Sequence, residues 1–133
     1  YALAHRIFAG ADMLLVPSRY EPCGLNQLYA LKYGTPPIVR ATGGLGDTVE
    51  SFDGKSDAGT GFKFTEAEPD QLGAAIDEAL RVYVNEPDQW KRLMKRGMVQ
   101  DFSWQRSAQE YARLYAQAVE TRQEALKQTL SFA

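Results

Sequence analysis

The sequence predicts an α/β fold: the second half of a doubly wound domain, a small parallel sheet followed by C-terminal helices. Three observations predict it. Short apolar runs at residues 12–16 and 36–40 alternate with helical stretches. Each run leads into a helix through a glycine-bearing loop, Glu21-Pro22-Cys23-Gly24 after the first and Thr42-Gly43-Gly44 after the second. One further strand, Phe62-Lys63-Phe64, precedes a purely helical remainder. Three strands leave a small sheet with two raw edges, whereas a self-contained doubly wound domain normally brings more. In a parallel sheet both glycine loops emerge at the carboxyl edge, where ligands bind.

The elements follow in order. Residues 1–10 read as the end of a helix, with Gly10 where a C-cap belongs. No start signal precedes it, so the expectation is a helix, and a fold, that begins upstream. Pro17 ends the first strand because it has no amide to donate. Residues 24–33 form the next helix, with Leu25, Leu28, Tyr29 and Leu31 as its packing side. Gly34 is placed to close it, and Pro36 prevents continuation. Residues 44–50 predict a short helical turn, with Leu45 and Val49 four apart. Ser51 to Gly61 is turn-rich and reads as exposed. Pro69-Asp70 opens a helix whose stripe is Leu72, Ala75, Ile76, Ala79, Leu80 and Tyr83. Pro87 suits the first turn of the following helix, which carries Trp90, Leu93, Met94 and Met98. Ser103 predicts the N-cap of a long last helix. Trp104, Tyr111 and Tyr115, like Trp90, lie at helical spacing and read as core or domain-interface residues. The expected organisation is one domain over 1–120 and a polar helical tail over 121–133.

Length and composition bound the function. A chain of 133 residues can bury a core, and a net charge of −2 argues against nucleic acid as the main partner. The single cysteine, Cys23, excludes an intrachain disulfide and fits a reduced, cytoplasmic compartment. No apolar run approaches a membrane span. One histidine, His5, leaves little for a metal cluster or a Ser-His-Asp triad, and no metal or cofactor is expected.

Glu21 follows a strand end and precedes a helix, which aims its carboxylate at the crevice above the sheet. There it can accept hydrogen bonds from sugar hydroxyls; the competing reading is a solvated glutamate paired with Arg19 or Lys32. Cys23, Gly24 and Leu25 open the helix, whose free amides and partial positive charge suit a phosphate. Gly24 either admits a ligand close to the main chain or is a plain turn residue. Cys23 reads as a small buried residue rather than a nucleophile. Asn26 and Gln27, in the first helical turn, face either ligand or solvent. Thr42, Gly43 and Gly44 offer a second set of backbone amides, though a Thr-Gly-Gly is common in plain turns. Neither a Walker loop nor a GxGxxG fingerprint is present.

Taken as a whole, the run from Pro17 to Val49 closely resembles the donor-site region of bacterial glycogen synthases and plant starch synthases. The residues that carry the resemblance are Pro17-Ser18-Arg19-Tyr20-Glu21-Pro22-Cys23-Gly24-Leu25, Gln27-Leu28-Tyr29, Tyr33-Gly34-Thr35-Pro36-Pro37 and Thr42-Gly43-Gly44-Leu45-Gly46-Asp47-Thr48-Val49. Gly59-Thr60-Gly61-Phe62 and Phe102-Ser103-Trp104 fit the family as well, so the likeness covers roughly residues 4–119. It implies a Rossmann-like part of the C-terminal domain of a two-domain GT-B fold. It also implies transfer of glucose from ADP-glucose to the non-reducing end of an α-1,4-glucan, with retention. By position, Glu21 resembles the catalytic-site acid that holds the donor glucose hydroxyls. Cys23, Gly24 and Leu25 resemble the contacts to distal phosphate and sugar, with Asn26 beside them. Thr42, Gly43 and Gly44 resemble the loop lining the nucleotide side.

In the wider class of retaining transferases a second glutamate stands eight positions after the first. Here that position is Tyr29, as in the synthases. Tyr1 does not match the family's adenine-stacking tyrosine, because its offset from His5-Arg6 differs. The implied partners are ADP-glucose, the glucan and an N-terminal GT-B domain that this chain lacks. The basic residues that neutralise the diphosphate would also lie upstream, so residues 1–133 alone are expected to be inactive. The implied compartment is cytoplasmic, or plastid in a plant. The competing functions are a non-catalytic module that binds nucleotide sugar or glucan, and a transferase using another sugar nucleotide.

Overall fold

The computed structural model describes residues 2–131. Their order is α1 (Ala2–Gly10), β1 (Leu14–Val16), α2 (Asn26–Tyr33), β2 (Pro37–Arg40), α3 (Gly43–Thr48), β3 (Phe62–Phe64), α4 (Pro69–Asn85), α5 (Pro87–Met98) and α6 (Trp104–Ser131). The strands form one parallel sheet in the order β1-β2-β3. Its register pairs Val16 with Val39 and Ile38 with Phe62. The predicted α/β class, parallel sheet and C-terminal helices are therefore all present. Tyr1 lies outside the described residues.

Period-two alternation puts neighbouring strand residues on opposite faces. Ile38, Phe62 and Phe64 face one side, where Ala75, Ala79 and Val82 of α4 and Trp90 and Leu93 of α5 cover them. Val39 faces the other side and packs with Leu45, Val49 and Val16. The central strand β2 is buried on both faces and reads as a continuous apolar run up to Arg40, whereas the edge strand β3 alternates, with Lys63 between its two buried phenylalanines donating to the Gly46 carbonyl at 3.2 Å. Phe62 and Trp90 stack at 6.1 Å between ring centres, and Phe52 joins them at 5.3 Å from Phe62.

The expected caps form. Gly34 adopts φ 77°, and its amide reaches the carbonyls of Ala30 and Leu31, closing α2. Pro69 and Pro87 stand in the first turns of α4 and α5. Ser103 Oγ accepts the Arg106 amide at 3.4 Å, starting α6.

Several packing expectations are corrected. In α2 the buried face is Gln27, Ala30 and Leu31, while Leu25 precedes the helix and is exposed. In α4 Val82 is buried, whereas Leu80 and Tyr83 are partly exposed, because the sheet meets the helix along Ala75, Ala79 and Val82. Residues 51–61 are not wholly exposed. Phe52, Gly59, Thr60 and Gly61 are buried, and Asp57 is held by Arg92 at 2.6 Å and Arg96 at 2.9 Å. Burial raises the Asp57 pKa, but the Arg96 and Arg92 hydrogen bonds and charges outweigh it and leave the group below its ordinary value.

The chain divides at Gln100–Asp101 into two units. The expected boundary at 120/121 falls inside α6, which runs unbroken through it. Within the second unit Trp104, Tyr111 and Tyr115 are exposed, so they form no core there. Tyr111 and Tyr115 stack on each other at 6.3 Å. Among the described residues, no helix is long and apolar enough to cross a membrane.

Candidate functional site

Because β1 and β2 run parallel and in register, the loops after Val16 and Arg40 leave the sheet side by side. They then pack backbone against backbone. A Cβ on Gly43 would strike the Glu21 carbonyl, and a Cβ on Gly44 the Cys23 carbonyl. The Gly44 amide donates to the Pro22 carbonyl at 3.3 Å. Both glycines are thus required by close approach, and Gly43 also takes φ 45°. The Gly44 amide is occupied by this contact.

Glu21 is half-buried at this junction. Among the described residues, no ion pair joins it to Arg19 or Lys32; Lys32 instead donates to the Met98 carbonyl at 3.4 Å. Gly24 adopts φ 71°, and Leu25, the residue before α2, offers no side-chain cap. The first turn of α2 therefore opens with no side chain spent on its amides. Asn26 is exposed. Cys23 is exposed as well, against the expectation of a buried thiol, because the loop places it outside the sheet.

Two residues join these loops. Gln27 is fully buried; its Nε2 reaches the carbonyls of Cys23 at 3.2 Å and Gly24 at 3.1 Å, and the Thr48 hydroxyl at 3.1 Å. The Thr48 hydroxyl in turn donates to the Gly44 carbonyl. Gln27 thus faces neither ligand nor solvent, because the loop folds back over it. At the end of β2, Arg40 donates to the Arg19 carbonyl at 2.7 Å and the Thr65 carbonyl at 2.9 Å, tying together the loops after β1 and β3.

Tyr29 turns away from this junction. It packs on His5 at 5.4 Å and Phe8 at 5.9 Å, and the Tyr33 hydroxyl lies 3.2 Å from His5 Nδ1. A cavity of ≈ 560 Å³ lies at the opposite, amino edge of the sheet, lined in part by Asp12, Tyr33, Tyr83 and Trp90. There the Asp12 carboxylate, as hydrogen-bond acceptor and as charge, raises the Tyr83 pKa. Among the described residues, no group of three or more His, Cys, Asp or Glu could hold a metal ion.

A half-buried carboxylate, an uncapped helix start and a glycine loop thus meet at the carboxyl edge of the parallel sheet, the edge at which open α/β sheets take ligands. The family profile described as "Glycosyl transferases group 1" matches residues 3–96. The chain belongs to this glycosyltransferase family. It is 53% identical over 121 residues to a glycogen synthase of Koribacter versatilis, covering 91% of this chain and 25% of that protein. To a glycogen synthase of Thermotoga maritima it is 51% identical over 117 residues, covering 88% of this chain and 24% of the relative. The chain thus spans about a quarter of the length of these relatives.

Among solved structures, it is similar to the catalytic domain of starch synthase IV from Arabidopsis thaliana bound to ADP and acarbose. That match has a TM-score of 0.80 and 39% identity over 90% of this chain and 25% of the other. The expected GT-B assignment and the likeness to glycogen and starch synthases are both borne out by these matches.

Sequence reasoning passed over Arg40 at this junction and left Gln27 facing either ligand or solvent. Arg40 ended an apolar strand and drew no attention. Gln27 carried no local sign that it was buried; its offset of three and four residues from Gly24 and Cys23, one helical turn, was the available signal.

Proposed function

We infer that the chain is the donor-site segment of a glucosyltransferase of the glycogen or starch synthase type. The reaction is transfer of glucose from ADP-glucose to the non-reducing end of an α-1,4-glucan with retention. The observation that carries this reading is the backbone packing of the Glu21–Cys23 loop on Gly43 and Gly44. It brings one carboxylate and one uncapped helix start to a single edge of the sheet. Similarity to glycogen synthases, and to a starch synthase bound to ADP and acarbose, supports the choice of nucleotide and glucan.

In this reading Glu21 accepts hydrogen bonds from the donor glucose hydroxyls. The amides at Cys23, Gly24 and Leu25 meet the distal phosphate, and Asn26 stands beside them. Thr42, Gly43 and Gly44 line the nucleotide side. Departure of the diphosphate is assisted by preorganised donors, since charge develops on its oxygens as the glycosidic bond breaks. The N-terminal domain and the upstream basic residues complete the site, so the segment alone is inactive.

The test is incorporation of labelled glucose into glycogen by the full-length protein that carries this segment, with ADP-glucose and UDP-glucose compared. Turnover of ADP-glucose that Glu21→Ala abolishes is expected. Full activity in the Glu21→Ala variant, or a preference for UDP-glucose, would overturn the assignment. Incorporation by residues 1–133 alone, above their own Glu21→Ala control, would overturn the predicted inactivity of the segment.

A further inference from the structure

We propose that Gln27 is a positioning residue that orients the Gly24 and Leu25 amides toward the distal phosphate of the donor; this rests on the donor-site reading above. Gln27 is 0% exposed, yet its Oε1 is buried without a hydrogen-bond partner among the described residues. A side chain kept only to fill this space would do better as an apolar one, because an unpaired buried acceptor is costly. The opposite end of the carboxamide accounts for its presence. Nε2 meets two consecutive main-chain carbonyls, Cys23 at 3.2 Å and Gly24 at 3.1 Å. Two carbonyl oxygens can be met only by the amide's donor end, which fixes which way the group is turned.

Planarity then transmits the effect. In a trans peptide the carbonyl and the following N–H point in opposite directions. No cis peptide bond occurs among the described residues. Drawing the Cys23 carbonyl toward Gln27 therefore turns the Gly24 amide away from it. Drawing in the Gly24 carbonyl does the same to the Leu25 amide. The positive φ of Gly24, 71°, followed by φ −121° and ψ −22° at Leu25, is the alternation of hand that lets successive amides face one side. The same bonds withdraw two carbonyl dipoles that would repel an anion.

Gly24 also has to be glycine for this arrangement, because a Cβ there would sit 2.7 Å from Gln27 Oε1. The Thr48 hydroxyl, 3.1 Å from Nε2, shares the two N–H groups with these carbonyls and ties the carboxamide to α3. Gln27 thereby couples the phosphate loop to the glycine loop.

The experiment measures binding of ADP and of AMP to the full-length protein by calorimetry, together with KM for ADP-glucose and for glycogen. AMP lacks the distal phosphate, so it reports everything except the proposed contact. Gln27→Leu is expected to weaken ADP binding and raise the ADP-glucose KM about tenfold, leaving AMP affinity and glycogen KM unchanged. Equal losses for ADP and AMP would mean a general structural role and overturn the proposal, as would unchanged ADP binding. Should Gln27→Leu not fold, Thr48→Val removes the hydroxyl that anchors the carboxamide, together with its bond to the Gly44 carbonyl, with an expected loss of roughly two- to threefold for ADP and none for AMP. No ADP-selective loss in that variant overturns the proposal equally. A wild-type protein that binds no ADP would instead refute the donor-site reading itself.

Discussion

Substituting Gly44 by alanine tests whether the two loops are held by direct backbone packing. Gly44 is not among the glycines of positive φ, so alanine brings no backbone strain of its own. The effect is purely steric. The new Cβ would overlap the Cys23 carbonyl oxygen and stand 2.7 Å from the Cys23 Cα. Main-chain atoms cannot swing aside as a side chain can, so the loops must part by roughly 1 Å. Overpacking of this kind costs about 1–3 kcal/mol, and separation also loses the bond from the Gly44 amide to Pro22, worth about 1 kcal/mol. The sum is a loss of about 2–4 kcal/mol. With a slope of about 2 kcal/mol per molar urea, the middle of the range for a small domain, the unfolding midpoint falls by roughly 1–2 M.

The assay is urea denaturation of the chain followed by circular dichroism. Gly73→Ala is the matched control, because nothing lies within 4 Å of a Cβ at that position in α4. It should gain about 0.5–1 kcal/mol from the lower entropy of the unfolded chain. A Gly44→Ala variant that unfolds at the wild-type midpoint would refute the packing argument. On the donor-site reading proposed above, the full-length Gly44→Ala variant also loses donor turnover on the order of a hundredfold, the penalty of a misplacement of about 1 Å in a catalytic site.

Two further outcomes follow from the same structure. Asp57 has a pKa depressed below its ordinary value of 3.8, so its contribution to stability is present above that value and is lost as pH falls through the lower folded-state value. Asp57→Asn should therefore melt below wild type near neutral pH, and the gap should close in acid; a pH-independent gap in thermal midpoint would contradict the ion-pair explanation. Leu93 is 0% exposed in the core between sheet and α5. Leu93→Ala should cost about 2–5 kcal/mol in urea denaturation, and a loss below about 1 kcal/mol would show that the site collapses around the cavity.

Local chemistry made much of the fold legible. Gly34, Pro69, Pro87 and Ser103 act within one helical turn of themselves, so their effects need no knowledge of the rest of the chain. Phe62 and Phe64 share a face because a strand alternates, and both are buried as that pattern requires. The loop from Pro17 to Gly24 was recognisable as a strand-to-helix turn for the same reason.

Burial was harder to read wherever the partner lies far away in sequence. Leu25 and Leu80 look like core residues from their own segments, yet the helices meet the sheet along other lines. Trp104, Tyr111 and Tyr115 have the spacing of a packing stripe, and within their own unit nothing covers them. Asp57 sits in a run rich in turn residues, and only α5, about 35 residues later, supplies the arginines that hold it.

By itself, then, the sequence determined the elements, their caps and the position of Glu21 between a strand end and a helix start, since these depend on neighbours a turn or less away. The tertiary structure alone decided why Gly43 and Gly44 must be glycine, that Cys23 faces outward and that Gln27 faces inward. Each of those outcomes depends on a loop some 20 residues distant meeting its counterpart at the edge of a parallel sheet. A chain pattern records what a residue is next to in sequence, and packing is settled by what it is next to in space.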